Sequence, residues 1–288
     1  MLPLRHLTAA MLLLACLIAT PLTVRAETYH TCTGFIDTLP ATITTQGVWC
    51  LRHDLSTAVT SGAAITINTN NVTIDCNDFK VGGLAAGAGT LTYGIFALNR
   101  LNATVRHCNI RGFRRGLSFD GSAGGGHVVE DSRFDGNTWI GIRVEGEGSV
   151  VRRNQVTDTG GGGAALVYGI IAYYTVDVLD NTVSGVVPDS GGDGSAYGIY
   201  TSINSNGSVS GNRVRGLYNF GDGAIYGIYT ENSGRISLVA NQVAGSNSAN
   251  SIGLRCSTDF GSTKDNIING FATGISICTN NGGNVIKP

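Results

Sequence analysis

From residue 64 onward, apolar and polar side chains alternate in short bursts, and the bursts come in threes. Ile65 and Ile67 form one, Val72 and Ile74 a second after Asn70-Asn71, and Phe79 and Val81 a third after Asn77. Alternation of period two over such short runs predicts strands, three to a turn. The same grammar returns as Val176, Val178, Asn181 and Val183, then Ile199 and Thr201. A glycine followed by an aliphatic residue recurs eight times, as Gly94-Ile95, Gly116-Leu117, Gly141-Ile142, Gly169-Ile170, Gly198-Ile199, Gly227-Ile228, Gly253-Leu254 and Gly274-Ile275. The intervals, 22, 25, 28, 29, 29, 26 and 21 residues, are those of a solenoid. A polar position keeps step with them: Asn77, Cys108, Ser132, Asn154, Asn181, Asn212, Asn241 and Asn266. Strands that stack in parallel about 4.8 Å apart would bring these asparagines into a ladder of side-chain amides.

The pattern also assigns faces. Tyr168, Tyr197 and Tyr226 immediately precede the repeated glycine, and strict alternation puts them on the side of the following isoleucine, as an internal aromatic stack. Tyr173, Tyr200 and Tyr229 fall on the outward side of the same strands, where they are candidates for contact with sugar rings. Residues 27–63 do not fit the period; they are expected to cap the first coil, with a short helix around Asp54 to Ser61. Beyond Asn280 little chain remains, so the last coil is expected to meet a partner or an oligomer contact.

Composition places this solenoid outside the cell interior. Residues 1–26 carry a basic start, an apolar run from Leu7 to Leu22 and Val24-Arg25-Ala26, which reads as a cleaved secretory signal. The run contains Pro21 and is short for a membrane span, so no span is expected after cleavage, and the chain is expected to be secreted or periplasmic in a bacterium. Cleavage leaves 17 basic and 20 acidic side chains, which offers no nucleic-acid footprint. It also leaves six cysteines, an even number suited to disulfides in an exported protein. Cys32 with Cys50 would staple the cap. Cys76 with Cys108, and Cys256 with Cys278, fall one register apart on neighbouring coils; reduced core thiols are the alternative for these four. No spacing suited to zinc occurs.

The variation in repeat length lies in one turn. From the repeated glycine to the next ladder position the distance runs from 12 to 16 residues, but from the ladder position to the next glycine it runs from 8 to 17. Insertions gathered on one side of a solenoid shape its binding face. Long turns near 80–93 and 157–168 bracket short ones at 111–115 and 135–140, so a notch is expected over the second and third coils. Its outward residues are Ser118, Asp120, Arg143 and Glu145, with Arg114 and Arg115 at the border and Trp139 on the rim. Guanidinium groups suit carboxylates, while the acids suit proton transfer or calcium. Asp120, Arg143 and Glu145 are therefore the candidate catalytic group, and Arg114, Arg115, Trp139, Tyr173, Tyr200 and Tyr229 the candidate substrate contacts. A solvated row of ion pairs, Asp120 with Arg143 and Arg143 with Glu145, is the plainer reading of the same charges. Asp193 and Asp222 sit one coil apart, able either to share calcium or to initiate turns. His30, His53, His107 and His127 are scattered and read as structural.

The segments Asn71 to Phe79 (NVTIDCNDF) and Val105 to Phe113 (VRHCNIRGF), together with the asparagine ladder, resemble the pectin-lyase-like superfamily of bacterial exported proteins. The resemblance covers residues 64–279 and implies an all-β fold, a single-stranded right-handed parallel β-helix of about eight coils over 64–288. It implies an acidic polysaccharide as partner, acted on by a uronate lyase or a glycoside hydrolase, with Arg143 as a base by analogy with a lyase mechanism. The paired aspartates and Gly-His-Gly element of polygalacturonases, and the Trp-Ile-Asp-His signature of pectate lyases, are missing from the sequence. The alternative is a non-catalytic periplasmic or surface protein that binds envelope glycan or a protein partner.

Overall fold

A computed structural model describes residue 29 and residues 31–287, except 204, 233 and 259; the secretory signal expected over residues 1–26, and His30, lie outside the described residues. Within residues 31–287 the chain winds through three parallel sheets of 11, 10 and 10 strands. Sheet 1 contains Val72–Asp75 and Val176–Leu179, sheet 2 contains Lys80–Gly82 and Thr182–Val187, and the third is made by Ala41–Ile43, Ala63–Ile67 and the eight Gly-Ile strands from Tyr93–Leu98 to Thr273–Ser276. Each strand pairs with its equivalent one coil away, as Val72 with Ala103, Thr182 with Arg213 and Ile199 with Ile228. Among the described residues helix is confined to one 3-10 turn, Leu84–Ala86.

Inward side chains of the three sheets form one continuous core, from Ile36 and Ile43 to Ile268 and Phe271. Columns such as Ile65, Ile95, Leu117, Ile142, Ile170, Ile199, Ile228 and Leu254 are almost wholly buried. Burying a side chain of this size contributes about 1.5–3 kcal/mol each, so the axis of the solenoid is also the seat of its stability.

At the corner between sheets 1 and 2 the asparagine ladder forms from Asn154 onward, whereas Asn77, expected in the same line, donates its side-chain amide to the Leu51 carbonyl at 3.0 Å. The side-chain amide of Asn154 donates to Asn181 Oδ1, Asn181 to Asn212, Asn212 to Asn241, and Asn241 to Asn266, each at 3.0 Å. Asn284 adds a further rung, accepting from Asn266 at 2.8 Å. Towards the N-terminus Ser132 and Cys108 continue the line through backbone donors.

Three disulfides link Cys32 to Cys50, Cys76 to Cys108 and Cys256 to Cys278, so these cysteines are bonded and not reduced core thiols. Crosslinks of this number persist in oxidising, extracytoplasmic surroundings. No helix among the described residues is long and apolar enough to cross a membrane.

The N-terminal region departs from expectation. Ala41–Ile43, Gly47–Cys50 and Leu55–Ser56 pair with the next coil in all three sheets, so residues 41–56 already make a full turn of the solenoid. The helix expected around Asp54 to Ser61 is absent. Leu55 and Thr57 are buried while Ser56 is exposed, a period of two that selects strand over helix.

Candidate functional site

The repeated glycine breaks the alternation of its strand. Its missing side chain faces the core: a Cβ on Gly198 would lie 2.4 Å from Val214 Cγ1 and 2.5 Å from the carbonyl oxygen of Gly227. The next residue, Ile199, also faces the core, so the residue before the glycine is turned outward. Three outward columns result on the Gly-Ile sheet. The first holds Tyr93, Arg115, Ile140, Tyr168, Tyr197 and Tyr226. The second holds Phe96, Ser118, Arg143, Ile171, Tyr200, Tyr229 and Arg255. The third carries Asp120, Glu145, Tyr173, Ser202 and Glu231 on successive coils. The internal stack expected of Tyr168, Tyr197 and Tyr226 is thereby corrected: all three are half-buried on the outer face and touch Tyr200 or Tyr229.

One end of this face is a closed ionic network. Asp120 accepts from Ser118 Oγ at 2.7 Å and pairs with Arg115 at 3.3 Å and Arg143 at 3.2 Å. Glu145 binds the Arg143 guanidinium through Oε1, while Oε2 accepts the backbone N–H of Gly121 at 2.7 Å. Ser118 is fully buried beneath this network. Arg115 lies 4.5 Å from the Trp139 ring centre and 5.2 Å from that of Tyr93; Arg114 lies 4.6 Å from the same tryptophan, and Arg143 5.0 Å from Tyr173. Stacking of this kind holds guanidinium planes in place while leaving edges able to donate.

Burial pushes the Arg115 pKa down, although it keeps Tyr93 and Asp120 as neighbours that oppose the shift. For Arg143 burial also acts downward, but the hydrogen bond to Glu145 and the charges of Asp120 and Glu145 outweigh it and raise its pKa. Arg143 is thus held as a cation, the opposite of what the base role suggested by resemblance requires. Its geometry suits recognition of an anion.

At the other end the face is phenolic. Tyr168 stacks on Tyr197 at 4.7 Å and Tyr197 on Tyr226 at 4.9 Å. Rings stacked along the axis cover each other's faces, so they present edges and hydroxyls outward. Tyr173, Tyr200 and Tyr229 meet edge to face at 6.0 and 5.7 Å. The Tyr200 hydroxyl donates to Glu231, and Arg255 closes the row, 5.2 Å from the Tyr229 ring and donating to the Tyr226 hydroxyl at 3.2 Å. Burial raises the pKa of Tyr168 to about 12, and that of Tyr173, Tyr197, Tyr200 and Tyr229 in the same direction, so these five phenols stay protonated.

The structure brings Asp120, Arg143, Glu145 and Arg115 into contact and sets Arg114 and Trp139 beside them. Of the expected notch residues only Arg114 and Trp139 line a cleft, of about 90 Å³, in which Thr90 and Leu91 of one long turn and Gly162 to Ala164 of another approach across them; Ser118, Asp120, Arg143 and Glu145 lie outside it. Tyr93, Glu231 and Arg255 complete the face and escaped the sequence reading. So did the outward turn of the three tyrosines, whose signal was the repeated glycine itself. Asp193 bonds across to the next coil, its Oδ1 accepting the backbone N–H of Asp222 at 2.9 Å. Among the described residues no three His, Cys, Asp or Glu side chains converge as metal ligands. His127 is buried with Nδ1 accepting from the Ala103 N–H, and His107 lies 3.3 Å from Asp75.

Three parallel sheets wound by a single chain, with a buried asparagine ladder at one corner, define a parallel β-helix. Residues 46–183 match the family model described as a right handed beta helix region, in keeping with the right-handed parallel β-helix that the three sheets form. Among solved structures the fold is similar to that of the Dettilon tailspike protein, with 12% identity, a TM-score of 0.50, and coverage of 88% of this chain and 60% of that one. It is also similar to A-modules of Azotobacter vinelandii mannuronan C-5 epimerases. That of AlgE6 shares 16% identity at a TM-score of 0.45, over 84% of this chain and 81% of that one. That of AlgE4 shares 12% identity at 0.48, over 85% and 82%. No curated protein matches the sequence.

Proposed function

We propose that this exported β-helix binds an acidic polysaccharide along the outer face of the Gly-Ile sheet. The observation that carries the reading is the row itself. Ring-stacked guanidinium groups of Arg114, Arg115 and Arg143 lead into a comb of protonated phenols that ends at Arg255. Guanidinium edges take carboxylates, and phenol hydroxyls donate to or accept from sugar hydroxyls. Tyr173, Tyr200 and Tyr229 act through hydroxyl edges more than as stacking platforms, because their rings already pack on one another.

Binding is favoured over cleavage by Asp120, Arg143 and Glu145. Both oxygens of each acid already accept hydrogen bonds or pair with arginine, so neither is poised as a free base. Calcium belongs in the test, since it can bridge a polyuronate to Asp120 or Glu145 once a ligand opens the network. Titration of polygalacturonate, alginate, hyaluronate and chondroitin, each with calcium and with chelator, tests the reading. Arg143→Gln should weaken binding of the preferred glycan about tenfold. Unchanged affinity in this variant, or no binding across the panel, rejects the site. Growth of unsaturated-uronide absorbance in the same samples would instead assign an elimination reaction, and new reducing ends without it a hydrolysis.

A further inference from the structure

Nearly every arginine of the first half of the solenoid is paired. Arg106 meets Asp75, Arg111 and Arg133 meet Asp135, and Arg152 and Arg153 meet Glu130. Sheet 2 breaks this rule in its second half. Arg213 and Arg215, two residues apart on Arg213–Leu217, are both exposed, and no carboxylate among the described residues pairs with either.

Register extends the patch over the next three coils. Arg213 stands beside Gln242, which stands beside Ile267 and then Val285. In the neighbouring column Ala244 stands beside Asn269 and then Lys287. Upstream, the partners of the two arginines are Thr182 and Ser184. The strands Thr182–Val187, Arg213–Leu217, Gln242–Ala244, Ile267–Asn269 and Val285–Lys287 contain three cations and no acid. The short side chain of Ala244 leaves a groove of about 300 Å³, lined by both arginines, Gln242, Ile267 and Asn269.

We propose that this face of sheet 2 is a second binding site, distinct from the Gly-Ile face, for a polyanionic glycan chain that lies across the coils with a carboxylate or sulfate held between Arg213 and Arg215. Charge complementarity selects the occupant. Two guanidinium groups about 7 Å apart along one strand can share one oxyanion or grip adjacent ones, and the amides of Gln242 and Asn269 supply donors for sugar oxygens. Lys287, three coils on and about 14 Å along the axis, offers a further charge for an extended ligand and none for a single small ion. The ligand class is shared with the proposed function, but the site rests on its own residues.

The full chain is titrated with polygalacturonate and with heparin, with inorganic sulfate and with anionic lipid vesicles as separate probes. Four proteins are compared: the unmodified chain, R213Q/R215Q, R143Q, and the combined R143Q/R213Q/R215Q. The proposal expects R213Q/R215Q to lose about tenfold in affinity for one of the two polymers while its thermal unfolding is unchanged, and expects that loss to add to whatever R143Q causes. Polymer binding that depends on Arg143 alone overturns the second site and leaves the Gly-Ile face standing. Loss in R213Q/R215Q alone supports the second site and rejects the first. Sulfate binding as tight as the polymers reduces the site to a simple anion pocket and overturns a glycan occupant, and arginine-dependent binding to vesicles without polymer binding overturns it in favour of a lipid surface.

Discussion

His127 shows how one residue of this fold can set a pH limit. It is 2% exposed, packs 4.7 Å from the Phe119 ring, and uses Nδ1 as an acceptor, so burial holds its pKa down at about 4. Below pH 6.5 the unfolded chain takes up a proton that the folded chain refuses. Stability contributed by the neutral ring is therefore full above pH 6.5 and is lost as pH falls towards 4, at about 1.4 kcal/mol per pH unit. Urea unfolding of the unmodified chain and of His127→Gln across that window should show a shallower slope in the variant. Equal slopes would mean that the imidazole is solvated or already charged in the fold.

At the level of the strand, the repeated glycine decides which side chains reach solvent. Its Cβ position is occupied by a core valine and by the backbone of the next coil, as at Gly198, so two consecutive residues face inward and the phase of the strand slips by one. Without that slip Tyr168, Tyr197 and Tyr226 would be internal and the phenolic comb would not exist. Gly198→Ala should cost about 2–3 kcal/mol, because overpacking against backbone cannot be relieved by a rotamer change. The midpoint of denaturant unfolding measures it, with tyrosine near-ultraviolet dichroism reporting the comb; a variant as stable as the parent would show that the coil spacing yields to a methyl group.

Over the whole molecule, cohesion runs through neighbours, coil to coil. Asn212 shows the linkage: its Oδ1 accepts both the backbone and side-chain N–H of Asn181, and its own amide donates to Val178, Ser210 and Asn241. Asn212→Ala leaves buried donors of Asn181 unpaired, at a cost on the order of 2–4 kcal/mol. In a solenoid each coil is stabilised by its neighbours, so the loss should appear first as local opening on both sides of the deleted rung. Hydrogen exchange should show faster exchange around 178–183 and 209–214 than near 95–105; uniform acceleration along the chain would mean that the coils unfold as one unit.

The sequence by itself determined the solenoid: the three-strand grammar, the coil length and the ladder from Asn154 to Asn266, and it set Cys76 beside Cys108 while leaving open whether they bond. These are local or strictly periodic features, and each coil repeats the same burial problem. It also marked the charged group of Asp120, Arg143 and Glu145, because outward positions follow from counting along a regular strand. Tertiary structure decided the rest. Residues 41–56 join the solenoid because the next coil offers them three strand edges, which no internal period announces. Tyr168, Tyr197 and Tyr226 turn outward because a glycine in a crowded core shifts the strand phase. Arg143 is locked in place because Asp120 and Glu145 converge on it from neighbouring positions. The unpaired arginines of sheet 2 stand out only once the carboxylates of the described residues have been placed, since charge pairing across coils depends on register and distance, and composition averages both away.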